Sequence, residues 1–586
     1  MKGGTMRNKI DLSFIPESSF LLGGVSINPA YDSATALDEN NLPYLTATAI
    51  KGALRMEFEA FVRGIGEEKL CDFDMDIRGC KTCLSCRLFG GGNEEGILRF
   101  NAAVLENPDE VLPKSVRHDL LEKGRREGVS ISRTLGKAKD KSYFSTLTFP
   151  NMKNIREIAF KTRIDIRRKL DPAMKEYLDT FLAFIGKTGI FMGSRKSVGL
   201  GHFKIRYELP GEFIQAQVVD CSRTELKMFK IKLKTLEPLL VGNTKNQYIS
   251  DTLPYIPASA LGGTIGFKLS EYGVDDNTLG RMFNKENSFS TFNCYLESPF
   301  PVPLSQRREK GKEGPIKDIL LPDYIIKQAI EQEKFGNVEH LFKALYKSNL
   351  RPVPICKKPD TFYNTKVAIG RELQKSGEGL LYSMELIPKG RTFQGFIIGE
   401  TWAAETLREI KELCMGGKRT RGFGKVRFED ISEMETTELI NLDIQVDTHL
   451  RKLASDYTID LPGDRRFFSL DLVSDFTLPF SEDSPGEDRS FKRFIEEIFF
   501  PKMDVKIEKS FLDIISRGGY DFREKKAKPM MERIGAGSTF LVSVPLDLEN
   551  TFKEKLNLMV ENSVDFKWDS TPLFRLNGHE HLENWR

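Results

Sequence analysis

The chain of 586 residues contains a partial copy of itself. Residues 20–61, FLLGGVSINPAYDSATALDENNLPYLTATAIKGALRMEFEAF, share a plan with 238–272, PLLVGNTKNQYISDTLPYIPASALGGTIGFKLSEY. Each has an apolar strand ending in glycine, a polar loop, the tripeptide Leu-Pro-Tyr, and a small-residue segment that opens an apolar helix. Thr46, Thr48 and Ser259 stand where hydroxyls suit a helix entrance as caps, and the alanines and glycines around them allow close packing on a sheet. Both copies close on a glycine-rich basic run before a strand, GKTGIFMGSRKSVGLGHFKIRYEL (186–209) and MGGKRTRGFGKVRFEDI (415–431). A repeat of this length dictates that one α/β unit be built twice.

Three regions follow. Residues 1–222 hold the first copy and 226–435 the second. A polar linker, 436–464, has room for a short helix. The third region, 465–586, opens with the strand FFSLDLVSDFTLP and contains a second sheet-like stretch, GSTFLVSVPL, after the loop GYDFREKKAKPMMERIGA. Strands alternate with helices without a doubly wound cadence, which predicts an α+β, ferredoxin-like plan. Lys+Arg of 87 against Asp+Glu of 84 leaves a formal charge of +3, so any nucleic-acid surface must be a local stripe. No apolar run approaches the roughly 18 residues that cross a bilayer, and MKGGTMRNKIDLSF has no apolar segment of a leader. The expectation is a cytoplasmic protein with no membrane partner.

Four of the eight cysteines, Cys71, Cys80, Cys83 and Cys86, fall within sixteen residues as C-x8-C-x2-C-x2-C. Two C-x2-C steps turn thiolates toward one point, and four sulfurs make a closed structural Zn²⁺ site with no position left for substrate. The alternatives are unligated core cysteines or a disulfide; the second fits poorly with a reducing compartment and with the scatter of Cys221, Cys294, Cys356 and Cys414. Other chemistry is thin. None of the six histidines forms H-x3-H or H-E-x2-H, and no Walker motif, G-x-S-x-G elbow or HD pair is present. His202 and His118 lie in basic surroundings where they could touch phosphate.

Asp32 in AYDSATALDENNLPY, Lys51-Gly52 at the helix entrance, CxxCxxCRLFGG and SRKSVGLGHF together resemble the backbone subunits of type III CRISPR effector complexes. Those subunits form the Cas-seven branch of the RAMP superfamily, with an RNA-recognition-motif-like palm and a projecting thumb. In the second and third regions, IPASALGGTIG, 371–399, GGKRTRGFGKVRF and AGSTFLVSV resemble the Cas-five-like cap subunits of type III-D systems, the Csx-ten group. The resemblance implies tandem RAMP domains with a zinc insertion at about 70–92 and a thumb at about 125–150. It also implies as partners a CRISPR RNA guide, single-stranded target RNA, and other effector subunits: backbone, small and large polymerase-like.

Glycines in the two basic loops let backbone N–H groups approach a phosphate while neighbouring cations neutralise it. The candidates are Gly193, Ser194, Arg195, Lys196, Gly199 and Gly201 in the first loop, and Lys418, Arg419, Arg421, Gly422 and Gly424 in the second. Tight hairpin turns with solvated charges would have the same composition. Lys51 and Arg55 on the helix, and Arg133, Lys137 and Lys139 in the thumb segment, are further RNA candidates. The resemblance places a loop aspartate such as Asp32, with Asp38 as the fallback, where it supports cleavage of target RNA. That carboxylate would bind Mg²⁺ or another divalent ion, or orient the attacking 2′-OH. Asp251 stands too near its Leu-Pro-Tyr to match, so the second copy is expected to bind without cutting. The rival readings are a purely structural RNA-binding subunit and a ribonuclease that processes precursor guide RNA with His202.

Overall fold

The strand Lys9–Pro16 alternates polar and apolar residues, so Ile10, Leu12 and Phe14 share one face and are buried. The computed structural model describes residues 9–23, 32–38, 40–66, 70–71, 80, 82–91, 94–115, 117, 123–151, 158–209, 219–245, 249–285, 288–309, 316–346, 350–369, 376–435, 445–477, 500, 503–521, 526–561 and 574–576. In the first unit Lys9–Pro16 lies between Phe160–Ile166 and His202–Glu208, antiparallel to both, and Ala103–Leu105 pairs on the far side of Phe160–Ile166. Numbered by chain position, the main strands run fourth, first, third, second. The helices Ala47–Gly64 and Pro172–Thr188 pack Ile50, Leu54, Phe58, Leu178 and Phe181 onto this sheet in a single core.

The second unit repeats the order. Leu226–Thr235 lies between Thr392–Glu400 and Lys425–Met434, with Phe289–Thr291 outside Thr392–Glu400 and the helices Ala258–Glu271 and Thr401–Ile410 in its core. The order occurs a third time beyond 465. Arg465–Leu472 lies between Thr539–Pro545 and Phe574–Leu576, and Lys506–Phe511 pairs outside Thr539–Pro545. The chain is thus mixed α+β with antiparallel sheets.

Each unit sends out a long hairpin: Arg125–Ile131 with Ala138–Leu147, Phe362–Ile369 with Ser376–Leu386, and Ile514–Asp521 with Lys526–Ile534. The third stands where a loop was expected: within GYDFREKKAKPMMERIGA, Gly519 to Asp521 end the first arm and Lys526–Ile534 form the second. The helix entrances also differ from expectation. Thr46 caps the first, its Oγ1 accepting from Ala49 N, but the second begins at Pro257 and Asn293 Oδ1 accepts from Ala258 N, so Ser259 caps nothing. The linker contains the helix Gln445–Asp456, whose Val446, Leu450 and Ala454 share a core with the helices Leu320–Glu331 and Phe335–Tyr346. No helix among the described residues is long and apolar enough to cross a membrane.

Candidate nucleic-acid interface and metal centre

The two glycine-rich loops have the same backbone. Gly193, Arg195, Gly199 and Gly201 have φ of 97°, 59°, 83° and 80°; Gly416, Lys418, Gly422 and Gly424, at the same spacing, have 78°, 60°, 79° and 85°. Close approach enforces glycine at the first and last of the four positions in each loop. A Cβ on Gly201 or Gly424 would lie 2.0 Å from the carbonyl oxygen of Met192 or Met415, and one on Gly193 or Gly416 within 2.4 or 2.2 Å of that of Leu21 or Leu240. Equivalent hydrogen bonds close both turns: Ser194 N donates to Leu21 O and Gly417 N to Leu240 O, each at 2.9 Å.

The left-handed residue of each loop reaches the hairpin of its own unit. The Arg195 guanidinium sits 4.4 Å above the Phe144 ring and Lys418 Nζ 5.9 Å above the Tyr382 ring. Phe144 covers Gly128 of the facing arm, where a Cβ would come within 2.4 Å of the ring. Arg195 and Lys418 are both exposed. The clasp joins a cation on a loop to an aromatic on a strand in two separate units. Neither aromatic was a candidate from sequence, although Phe144-Ser145 and Tyr382-Ser383 stand at corresponding places. Farther out on the first hairpin, Arg133, Lys137 and Lys139 are exposed beside the turn, with Ile131 and Leu135 also open to solvent at 61% and 73%.

Asp32 is exposed at the base of that hairpin. Its amide donates to Ser145 O at 3.0 Å and its Oδ2 accepts from Ser145 N at 2.7 Å, which carries the parallel pairing of Ser33–Ala34 one residue further. In the second unit the parallel register sets Ile249 opposite Ser383. The position of Asp32 is therefore taken there by isoleucine, and Asp251 lies two residues beyond. Asp38 is occupied differently. Its Oδ1 accepts from Asn40 N and Leu42 N at 2.8 and 2.9 Å, folding the turn before Leu-Pro-Tyr.

Three other candidates are tied down inside the protein. Arg55 donates to Glu59 Oε1, Ser85 Oγ and Gly90 O, binding the cysteine segment to its helix. Arg419 is buried and grips Glu95 through Nε and Nη2 at 3.1 and 2.9 Å, while Arg167 holds the same carboxylate at 2.7 Å; the two guanidiniums keep Glu95 below the usual carboxylate range although burial opposes them. Lys51 Nζ donates to Thr420 Oγ1 at 3.1 Å, and burial, aided by Arg421 and Arg55, pushes its ammonium down to about 7. Arg419 and Lys51 therefore belong to the seam between the first and second units, which Arg99 extends by donating to Arg419 O and Glu237 Oε2. In sequence a buried arginine and an exposed one look alike in a glycine-rich run. Arg421 remains exposed. His202 is held by Glu17 at 2.9 Å and packed on Phe191, and His118 lies outside the described residues.

The four cysteines converge. Their Sγ atoms all lie within 4.8 Å of one another, with Cys71 3.3 Å from both Cys83 and Cys86. Zn–S bonds of about 2.3 Å at tetrahedral angles set sulfurs about 3.8 Å apart, so this set fits Zn²⁺. Cys80 N donates to Cys71 Sγ, Cys83 N to Cys80 Sγ and Cys86 N to Cys83 Sγ, the amide bonds that thiolate ligands accept. Cys83 also begins the short helix Leu84–Phe89. Among the described residues no other group of three or more His, Cys, Asp or Glu side chains converges, so Mg²⁺ finds one exposed carboxylate at Asp32 and no cluster around it.

Residues 15–204 and 232–427 each match the RAMP superfamily. No curated protein matches the chain. Among solved structures, the chain is similar to one in a cryo-EM structure of the Type III-B Cmr-beta bound to cognate target RNA and AMPPnP, state 1, with 16% identity, coverage of 56% of this chain and 93% of that chain, and a TM-score of 0.29. A chain of Type III-B Cmr-beta bound to cognate target RNA aligns with the same identity and score over 89% of its length. One from the apo state aligns over 36% of this chain and 98% of its own at 18% identity and a TM-score of 0.21.

Proposed function

Because the chain belongs to the RAMP superfamily, we propose that it is an RNA-holding subunit of a type III, III-D-like CRISPR effector ribonucleoprotein. Its first unit would act as a Cas-seven-like backbone element and the following two as a Cas-five-like cap on the 5′ tag of the guide. The observation that carries this reading is the repeated clasp of an exposed cation on the aromatic base of a projecting hairpin, Arg195 on Phe144 and Lys418 on Tyr382. Such a surface grips the phosphate backbone of a strand and offers planar groups to its bases, without reading sequence. The strand order, found in all three units, supports reading each as a ferredoxin-like palm. Zn²⁺ on Cys71, Cys80, Cys83 and Cys86 would clip the insertion to the first helix and take no part in reaction.

Cleavage of guide-paired target by the first unit is part of the proposal. Asp32, fixed by Ser145 at the root of the hairpin, would accept a hydrogen bond from the 2′-OH of a kinked target nucleotide. As that oxygen attacks the adjacent phosphorus its proton would pass to Asp32, a 2′,3′-cyclic phosphate would close, and the bond to the 5′-oxygen of the next nucleotide would break, that oxygen taking a proton from water. Were a divalent ion such as Mg²⁺ bound beside the target phosphate, Asp32 is the residue that would hold it and its charge would stabilise the attacked phosphate. The second unit, with Ile249 in the corresponding register, would hold RNA without cutting.

A structural reading of Asp32 has its own support, since the same carboxylate fastens a strand to the hairpin. Asparagine separates the two: it can still accept from Ser145 N but carries no charge. In purified particle with guide and labelled target, Asp32→Asn and Asp32→Ala should both abolish the cut held by this unit while guide binding and assembly persist. Full cutting by Asp32→Asn would leave the residue a fastener only.

A further inference from the structure

Past Lys418 the second unit's loop runs into the first unit. Arg419 lies over Phe267 of the second unit's helix Ala258–Glu271 at 5.6 Å and reaches Glu95; Thr420 receives Lys51; Arg421 bridges to Phe100; and a Cβ on Gly422 would come within 2.4 Å of Ala47 Cβ. What receives the loop is a helix entrance, the first turn of Ala47–Gly64 with the flanking strand Leu98–Phe100.

The first unit's loop is built for the same contact. Its φ values match, and Lys196 Nζ lies 3.8 Å from Met56 Sδ. Met56 and Phe267 each stand ten residues after the N-cap of their helices, Thr46 and Pro257. Lys196 thus starts along the course that Arg419 takes. Beyond it Ser197, Val198 and Gly199 are exposed, Val198 at 70%, and a Cβ on Gly199 would meet nothing within 4 Å.

We propose that residues 196–199 dock onto the helix entrance of another RAMP-type unit, as 419–422 dock onto the first unit. The partner must offer a small residue in the first helical turn opposite Gly199, a carboxylate in reach of Lys196, and apolar surface for Val198. We assign it to a different chain: this chain's first entrance lies under the second unit's loop, and its second is flanked by the third unit, where Asn293, which accepts from Ala258 N, donates its backbone amide to Ser474 Oγ. The docking rests on the effector-complex reading only for the presence of such a neighbour. It divides the loop by direction: Arg195 faces the hairpin and RNA, and the next four residues face protein.

The test is a photo-crosslinking amino acid at position 198 in the natively purified particle, with sites mapped by mass spectrometry. The expected product joins position 198 to the first turn of a helix in another RAMP-family chain. Crosslinks confined to RNA or to this chain would overturn the proposal. The variant Ser197→Glu with Val198→Glu should reduce co-purification of that neighbour at least tenfold, with RNA affinity of the isolated chain changed less than twofold; retention of the neighbour would also overturn it. A particle that lacks guide RNA yet yields the protein crosslink would remove the guide-RNA reading and leave the docking surface standing.

Discussion

Lys51 shows how a single side chain reports on its surroundings. It reads in sequence as a phosphate-binding lysine at a helix entrance, and the structure sinks it among Arg421, Arg55 and Arg167 with Thr420 as acceptor. Burial first, and the arginines second, bring its ammonium to about 7. An unfolded lysine titrates near 10.4, so between about pH 7 and 10 the unfolded chain binds more protons at this site and stability rises with pH. Lys51→Met should remove that slope. Thermal unfolding of both proteins at pH 7 and pH 9 checks it: the wild type should gain on the variant as pH rises, and parallel behaviour would contradict the assignment. Asp32 stands out as a candidate in its loop and through the resemblance. Its tie to Ser145 had no signal in sequence, because a parallel pairing across more than a hundred residues leaves no local mark.

Among elements, the cysteine segment and the glycine loops were the most legible, since both need particular residue types at fixed intervals. One zinc per chain is expected by elemental analysis, and replacing Cys83 and Cys86 by serine should release it and lower the unfolding midpoint, because metal binding energy on the order of 10 kcal/mol is folding energy in such modules. A folded protein without zinc would refute this. The loops allow a graded test. Gly199→Ala meets open space and should cost about 1 kcal/mol for its left-handed backbone alone, whereas Gly201→Ala drives a Cβ to 2.0 Å from Met192 O and should cost about 3 kcal/mol or more in urea unfolding. The third hairpin was missed because its second arm, KAKPMMERI, carries a proline and four charged residues and lacks the apolar alternation that marks a half-buried strand.

On the scale of the whole molecule, two neighbouring cations should behave oppositely. Arg419→Ala would leave Glu95 and Arg167 without their buried partner and destabilise the seam by about 3 kcal/mol, with little change in RNA affinity. Lys418→Glu, on the exposed side, should weaken RNA binding across unrelated sequences and reduce its salt dependence while stability holds. Unfolding and filter-binding measurements on the two variants separate seam from surface. The duplication was readable because strand, Leu-Pro-Tyr and loop recur in sequence. The ferredoxin-like half expected at 465–586 came from the resemblance and not from the repeat, since Leu-Pro-Tyr does not recur there.

The seam is rich in charge: Arg99 with Glu237, Arg419 with Glu95, Lys51 with Thr420. Two free polypeptides meeting through such a surface would part readily. Here residues 209–225 tether one side to the other, so the local concentration of each for its partner is in the millimolar range. A contact with a Kd of about 0.1 mM between separate molecules would then be closed about nine-tenths of the time. Fusion therefore lets a weak, polar and orientation-specific contact serve as a permanent one, and makes its stoichiometry independent of expression level or dilution.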